Sequence, residues 1–117
     1  MRAEIQSLTT EIENSLDLLR QRMGWDTAPH RLEEFNARVE DPTLWDDPVK
    51  AQKLMRDRQS LVDAMETHNA IQQELSDNVE LIEMGEMEND AGIIAEAETA
   101  IRALQKRAAK RELEALL

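Results

Sequence analysis

The feature that most constrains the fold is a periodic row of mainly apolar residues that extends from residue 48 to residue 84. Its positions lie three or four residues apart and are occupied by Leu54, Arg58, Leu61, Met65, His68, Gln72, Leu75, Val79 and Ile82. This spacing places the side chains along one face of a single helix. Beside it lies a second row, made of Val62, Ile71 and Leu81. A helix of about 35 residues would be roughly 50 Å long, so we predict that the other segments fold back along it.

Polar residues interrupt this row, and they bear on how the helix packs. Arg58, His68 and Gln72 favour packing against several shorter helices over a simple parallel zipper. Charged residues make up 33% of the 117 residues and aromatic residues only 3%, which is typical of long amphipathic helices and poor for a sheet. The chain has no cysteine, which excludes disulfides and thiolate metal sites.

The composition also indicates a compartment and a class of partner. No run approaches the ~18 apolar residues of a membrane span, and residues 1–6 lack the apolar core of a signal peptide. We therefore expect a soluble cytoplasmic protein with no membrane partner. The formal net charge of −11 would repel a phosphate backbone, so we expect most of the surface to meet protein rather than nucleic acid.

Two shorter helices are predicted before the long one. The first, residues 4–23, carries an apolar face of Ile5, Leu8, Ile12, Leu16, Leu19 and Met23. Gly24 follows it, where a left-handed C-terminal cap is favoured. The second, residues 27–40, begins at a cap on Asp26 or Thr27 with Pro29 in its first turn. Its predicted buried face consists of Leu32, Phe35 and Val39, with Arg31, Glu33, Glu34 and Arg38 outward.

The stretch from residue 41 to residue 48, which we call the Trp turn, is the most unusual in composition. Pro42 and Pro48 bracket an apolar pair, Leu44 and Trp45. Asp46 or Asp47 can cap the long helix, with Pro48 in its first turn. We expect the apolar pair to plug one end of a helical bundle, so that truncation of Trp45 to alanine would cost about 3–5 kcal/mol. The alternative is an exposed knob for docking.

A fourth helix, residues 90–117, is predicted after an acidic turn. The long helix, residues 48–84, should stop near Gly85, and Asn89 or Asp90 can cap the next one. The apolar face of the fourth helix is Ile94, Ala97, Ile101, Leu104 and Ala108. Glu98 and Arg102 are spaced to form an ion pair within it. This pattern is still running at Leu117, so we expect a longer protein of which residues 1–117 are the first domain.

These elements predict an all-α fold, a helical bundle with coiled-coil-like packing. Its centre is a long antiparallel helical hairpin, and the two N-terminal helices pack on that hairpin. The whole of residues 1–117 forms one domain.

Residues that could carry chemistry are present but are not arranged for it. His30 and His68 lie far apart in sequence, and we expect His68 to pack and His30 to be solvated. The carboxylate groups Glu33–Glu34, Asp46–Asp47 and Glu86/Glu88/Asp90 lack the spacing of a calcium loop or a di-iron bundle. We predict no catalytic, cofactor-binding or metal-binding residue, no small-molecule ligand, and hence no enzyme in this chain.

The one basic cluster lies on the fourth helix and is formed by Arg102, Lys106, Arg107, Lys110 and Arg111. It could contact an RNA phosphate or an acidic protein. The interpretation that we favour is that it balances nearby acids or faces solvent.

Residues 31–52, which run from RLEEF through DPTLWDDP to AQ, resemble the N-terminal domain of the bacterial peptide chain release factor 2 family. The order of elements is similar too: a first helix, a short helix, the Trp turn, a long helix, an acidic turn and an Ala/Leu-rich return helix. The resemblance covers essentially all of the chain. The Trp turn is its specific part, and it favours the factor 2 family over the related factor 1 family.

This resemblance implies a role in translation termination at UAA and UGA stop codons. The family reads the codon with a Ser-Pro-Phe motif and triggers peptidyl-tRNA hydrolysis with a Gly-Gly-Gln loop, and neither tripeptide occurs in residues 1–117. The resemblance therefore implies a domain that contacts the ribosome on its stalk-base side and release factor 3, while other domains contact the mRNA. The alternative from the residues alone is a stand-alone acidic coiled-coil adaptor or chaperone; a helical-bundle metalloenzyme is a more distant one.

Overall fold

The computed structural model describes residues 1–117 as four helices that together form a rod. These are α1 (Ala3–Met23), α2 (Ala28–Val39), α3 (Pro48–Glu88) and α4 (Ala91–Leu116), with short 3-10 turns at Trp25–Thr27 and Leu44–Asp46. The rod measures 63 × 27 × 21 Å, and α3 runs along its length. The predicted all-α class is confirmed. None of the helices is both long and apolar enough to cross a membrane.

One half of the rod is a three-helix bundle of α1, α4 and the C-terminal part of α3. The hairpin of α3 and α4 is antiparallel, since Arg107 of α4 pairs with Glu74 of α3 at 2.7 Å. Helix α1 runs parallel to α4, because Arg2 bonds Glu98 at one end and Ser15 bonds Glu112 further along. The core of this bundle is made of Ile5, Ile12, Leu16, Ile71, Leu75, Ile82, Ala97, Ile101, Leu104 and Ala108. The predicted apolar faces of α1 and α4 supply most of it.

The other half of the rod contains only α2 and the N-terminal part of α3. Arg58 of α3 donates to Asn36 of α2 at 2.7 Å, and the small Ala28 and Ala51 are fully buried in this half. With a single neighbouring helix, the predicted face of Leu32, Phe35 and Val39 is only half-buried. Of the larger apolar side chains in this half, Leu54 of α3 is buried, with 4% exposure.

Arg31 was predicted to face solvent, and the structure contradicts this. Its guanidinium reaches back to the C-terminal end of α1, where it donates to the carbonyls of Met23 and Gly24. It also donates to the Thr27 hydroxyl at 3.1 Å. Carbonyls at a helix C-terminus lack partners within the helix, so a cation stabilises them. Thr27 caps α2 with no side-chain hydrogen bond, contrary to the prediction.

The left-handed cap at Gly24 is confirmed, but the predicted end of α3 is wrong. Gly24 has φ +68° and donates to carbonyls of the last turn of α1. Helix α3 continues through Gly85 to Glu88, and the reversal is made by Asn89, with φ +54°. The side chain of Asp90 then caps α4 by accepting from the amides of Gly92 and Ile93.

Gly85 serves close packing rather than chain reversal. A Cβ at this position would lie 2.7 Å from Cγ1 of Ile94 and 3.2 Å from the carbonyl oxygen of Asp90. The glycine therefore lets the start of α4 approach α3 directly behind the turn. A glycine in a helical pattern has this second use as well as termination.

The predicted row along α3 is largely buried, with one local exchange. Leu54, Leu61, His68, Leu75 and Ile82 are all buried. Gln72 is exposed and Ile71 takes its place in the core, while Leu81 of the second row is exposed. Ile71 is thus the position of the second row that reaches the core, whereas Leu75 and Ile82 keep the first row buried beyond it.

Candidate interaction surfaces

The Trp turn is held by a local network of hydrogen bonds. The Asp41 carboxylate accepts from the backbone amide of Thr43 at 2.9 Å and from its hydroxyl at 2.8 Å. These bonds hold the pKa of Asp41 below its ordinary value, first through the backbone amide. Asp47 caps α3 by accepting from the Lys50 amide at 3.2 Å, with Pro48 in the first turn as predicted. Side-chain hydrogen bonds therefore hold both ends of the turn.

Trp45 is 59% exposed, so the prediction that it plugs the end of a bundle is wrong. Leu44 is half-buried against α3, and Val49, one turn along, is 76% exposed. The physical reason is the architecture of this half of the rod. An indole ring needs neighbours on several sides to be buried, and only α2 and α3 are present here. Of the two interpretations of the Trp turn, the exposed knob is the one that agrees with the structure.

The two histidines occupy the contrasting environments that we predicted. His68 is completely buried, its ring lies 4.2 Å from the Trp25 ring at an angle of 44°, and its Nδ1 lies 3.1 Å from Oδ1 of Asn69. Its Nε2 has no hydrogen-bond partner. His30 is exposed and lies 3.0 Å from Glu34, one helical turn away. His68 thus joins the two halves of the rod by packing against the loop between α1 and α2.

The basic cluster on α4 is partly neutralised by acids of neighbouring segments. Arg107 pairs with Glu74, Arg111 with Glu114 at 3.2 Å, and Arg102 with Glu4 at 3.4 Å. These contacts agree with the prediction that the cluster balances nearby acids. Lys106 and Lys110 remain exposed and make no ion pair.

The predicted pairing of Glu98 with Arg102 within α4 is wrong, because both residues pair with α1. Arg2 donates two bonds of 2.9 Å to the nearly buried Glu98 carboxylate, and this hydrogen-bonded carboxylate raises the pKa of Arg2. Two parallel bonds have better geometry than a flexible pair one turn apart on an exposed surface. The pairs therefore attach α1 to α4 instead of stabilising α4 alone.

Charge is distributed very unevenly along the sequence, a feature that the net charge of −11 conceals. Residues 59–101 contain no Lys or Arg but eleven of the 25 acidic residues. The rest of the chain carries 14 acidic and 14 basic residues. The whole formal charge of −11 is therefore carried by residues 59–101, which lie on α3 and α4 on both sides of the hairpin turn. The absence of basic residues over this range was visible in the sequence.

The acidic residues do not gather into a metal centre. No three Asp, Glu or His side chains converge in a way that could hold a metal ion. Of the carboxylate groups named in the sequence analysis, Asp47 and Asp90 cap helices. Glu34 pairs with His30, and Glu86 pairs with the N-terminal amine.

Comparison with known proteins identifies the family. The family model described as the PCRF domain matches residues 28–117. Peptide chain release factor 2 of Ruegeria sp. is 68% identical over 117 residues, which are 100% of this chain and 31% of that protein. The protein of the same name from Roseobacter denitrificans is 67% identical over the same length, again 31% of its own length.

A more distant relative extends the same pattern. Peptide chain release factor 2 of Rickettsia bellii is 40% identical over 116 residues, which are 99% of this chain and 32% of that protein. The chain thus spans about a third of the length of these relatives. The resemblance indicated by the Trp turn is confirmed, since the chain is similar over its whole length to bacterial proteins named peptide chain release factor 2. The chain belongs to the PCRF domain family.

Proposed function

We propose that this chain is the first domain of a translation-termination factor of the release factor 2 kind, acting at UAA and UGA stop codons. The observation that carries this is the 68% identity over all 117 residues to a protein named peptide chain release factor 2. In such a factor, codon reading and the triggering of hydrolysis belong to the two thirds that this chain does not span. We propose that residues 1–117 contribute contacts rather than catalytic groups.

We propose that those contacts are with the ribosome on its stalk-base side and with release factor 3, in the cytoplasm. Charge supports a protein partner for the segment 59–101 around the hairpin turn, because it carries eleven acids and no Lys or Arg. Such a surface repels the phosphates of ribosomal RNA. At the other end, Trp45 lies exposed in a hydrogen-bonded turn and is available for contact, and tryptophans are frequent anchors in interfaces.

A chimera provides the direct test. The aligned N-terminal third of the Ruegeria sp. release factor 2 is replaced by residues 1–117, and peptide release is measured on ribosomes programmed with UAA, UGA or UAG. We expect release at UAA and UGA at a rate close to that of the parent protein, and none at UAG. A chimera that folds but neither binds ribosomes nor releases peptide would contradict the proposal.

The isolated chain separates this proposal from a self-associating adaptor. Light scattering should give a monomer near 13.4 kDa, because the buried row of α3 is already covered by α1, α2 and α4 of the same chain. The isolated chain should also release no peptide from ribosomes that carry a stop codon. A stable dimer would favour the adaptor, and measurable release would overturn the assignment of catalysis to other domains.

A further inference from the structure

The solvent side of α3 near the hairpin turn carries large apolar side chains that no other element covers. Met87 is 84% exposed, Met84 is 45% exposed and Leu81 is 39% exposed. They follow one another at intervals of three residues, and Ile82 on the opposite side of the helix is buried in the core. A single exposed apolar residue needs no explanation, but three neighbours on one helix face form a patch.

Acidic side chains surround this patch and are not neutralised by the fold. Asp77, Glu80 and Glu88 share the outward side of α3 with the two methionines. None of the three makes an ion pair, and Asp77 accepts only a hydrogen bond from Gln73. We call the surface formed by Asp77, Glu80, Leu81, Met84, Met87 and Glu88 the acidic methionine face.

The adjoining cleft between α1 and α3 extends the same chemistry. It has a volume of about 520 Å³, and its walls include Glu13, Asp17, Glu80 and Glu83. Arg20 lies in the same cleft, but its guanidinium is paired with Asp17 at 2.8 Å. Glu80 belongs to both surfaces, so the negative field is continuous from the cleft to the acidic methionine face.

We infer that the acidic methionine face binds a basic amphipathic helix of a protein partner. Apolar residues of such a helix would cover Leu81, Met84 and Met87, and its Lys or Arg residues would lie opposite the unpaired carboxylates. Methionine suits this role because its unbranched, polarisable side chain adapts to different partners. The surrounding negative charge excludes nucleic acid, an anionic membrane and a second copy of the same face.

The experiment uses the methionine methyl groups as position-specific NMR probes. The probe ligand is a lysine–leucine peptide of about 16 residues with leucines at helical spacing, long enough to form a marginal helix in water. A peptide of the same composition in scrambled order is the control for charge alone. Met55 is the internal control. It lies on α3 with an exposure of 40%, similar to the 45% of Met84, but it lies outside the acidic range 59–101.

We expect saturable shifts of the Met84 and Met87 methyl signals, little change at Met55, and binding that weakens as salt is raised. The double variant M84A/M87A should weaken binding roughly tenfold, and E80Q/E88Q should weaken it and reduce its salt dependence. Matched controls are M55A and E33Q/E34Q, which should change affinity less than about twofold. Circular dichroism checks that each variant remains helical, which alanine and glutamine favour.

Several outcomes would overturn the inference. These are no binding at millimolar peptide and low salt, equal binding of the scrambled peptide, equal shifts at Met55, or equal weakening by E33Q/E34Q. The experiment contains no ribosome, so its failure would not bear on the proposed role in termination. Failure of the chimera would likewise leave the peptide result standing.

Discussion

At the residue scale, the two tryptophans share the same local backbone structure but differ in solvent exposure. Trp25 and Trp45 each begin or occupy a short 3-10 turn before a helix. Trp25 is half-buried against the His68 ring at the junction of the two halves, whereas Trp45 is 59% exposed at the far end of the rod. The difference lies in how many helices are within reach of each ring, and it has consequences for stability.

Replacement of Trp45 by alanine should therefore change stability little. We expect a loss of less than about 1 kcal/mol, since the ring is mainly in solvent. The reference variant is Ile101→Ala, at a residue with 0% exposure, for which we expect a loss of about 2–5 kcal/mol. Urea unfolding of both variants measures the difference. A loss at Trp45 as large as that at Ile101 would mean that the turn is packed in solution.

The Asp41 carboxylate should stabilise the Trp turn in a manner that depends on pH. Its folded-state pKa is lowered by the Thr43 amide and hydroxyl. A group with a lowered folded pKa contributes stability above its unfolded pKa of about 3.9, and the contribution is lost as the pH falls through the folded value. Asp41→Ala should thus be less stable than the parent at neutral pH, and the two should converge in acid.

The control for this measurement is Asp46→Ala, which removes an exposed carboxylate of the same turn that makes no hydrogen bond. Its stability should follow that of the parent at every pH. Urea unfolding between about pH 7 and pH 2 covers the expected transition. A constant difference for Asp41→Ala across this range would show that the side chain acts through packing and not through its charge.

At the element scale, the helices are bounded by local chemistry but positioned by contacts between helices. Helix α3 continues through Gly85, and a glycine is needed there because Ile94 of α4 occupies the space that a Cβ would take. Helix α1 is attached to α4 by the pair of Arg2 and Glu98, whereas the helical spacing within α4 predicted a pair of Glu98 and Arg102. In both cases a partner helix determined which local possibility was used.

Gly85→Ala should destabilise the protein although it lies inside a helix. In an exposed helix the change stabilises by about 1 kcal/mol, but here the added methyl would lie 2.7 Å from Ile94 Cγ1 and close to the Asp90 carbonyl. Overpacking of this kind costs about 1–3 kcal/mol. Thermal unfolding measures the net effect, which should appear as a lowered melting temperature.

Two further variants make this test specific. Gly92→Ala is exposed and meets only the Asp90 side chain at 3.3 Å, so it should be neutral to stabilising. The double variant Gly85→Ala/Ile94→Ala should lose less than the sum of its single changes, because the two sites share one space. Strict additivity would argue against the close approach of α4 at this position.

At the scale of the whole molecule, the rod has two halves with unequal burial of apolar side chains, joined by one continuous helix. The cluster of core residues draws on α1, α4 and the part of α3 from Ile71 onward. The other half is formed by α2 and the first turns of α3, where the larger apolar residues of α2 are only half-buried. Few buried contacts and solvent-exposed helical hydrogen bonds favour local opening.

Hydrogen exchange should reveal this asymmetry within α3 itself. Amides of residues 52–60 should exchange faster than those of residues 70–83, although all are bonded within the same helix. Ile101→Ala should speed exchange in the bundle half more than in the α2 half. Uniform protection along α3 in the parent protein would instead indicate that the rod unfolds as one cooperative unit.

The sequence by itself determined which residues form helices and, for the most part, where those helices begin and end. The periodicity of apolar residues, the left-handed Gly24 and a cap at Asp46 or Asp47 depend on the backbone within a few residues, so they can be predicted without a fold; the structure selects Asp47. The specific Trp turn likewise indicated the family, because it is a local motif. The absence of Lys and Arg from residues 59–101 could also be read from the sequence.

The tertiary structure alone decided which surfaces remain exposed. Trp45 lies in solvent because only two helices reach its end of the rod, and Leu81, Met84 and Met87 lie in solvent because α1 and α4 cover the other side of α3. The partners of Arg2, Arg31 and Gly85 follow from the same arrangement. Burial depends on contacts between segments distant in sequence, and a periodic pattern states that a face is apolar without stating what covers it.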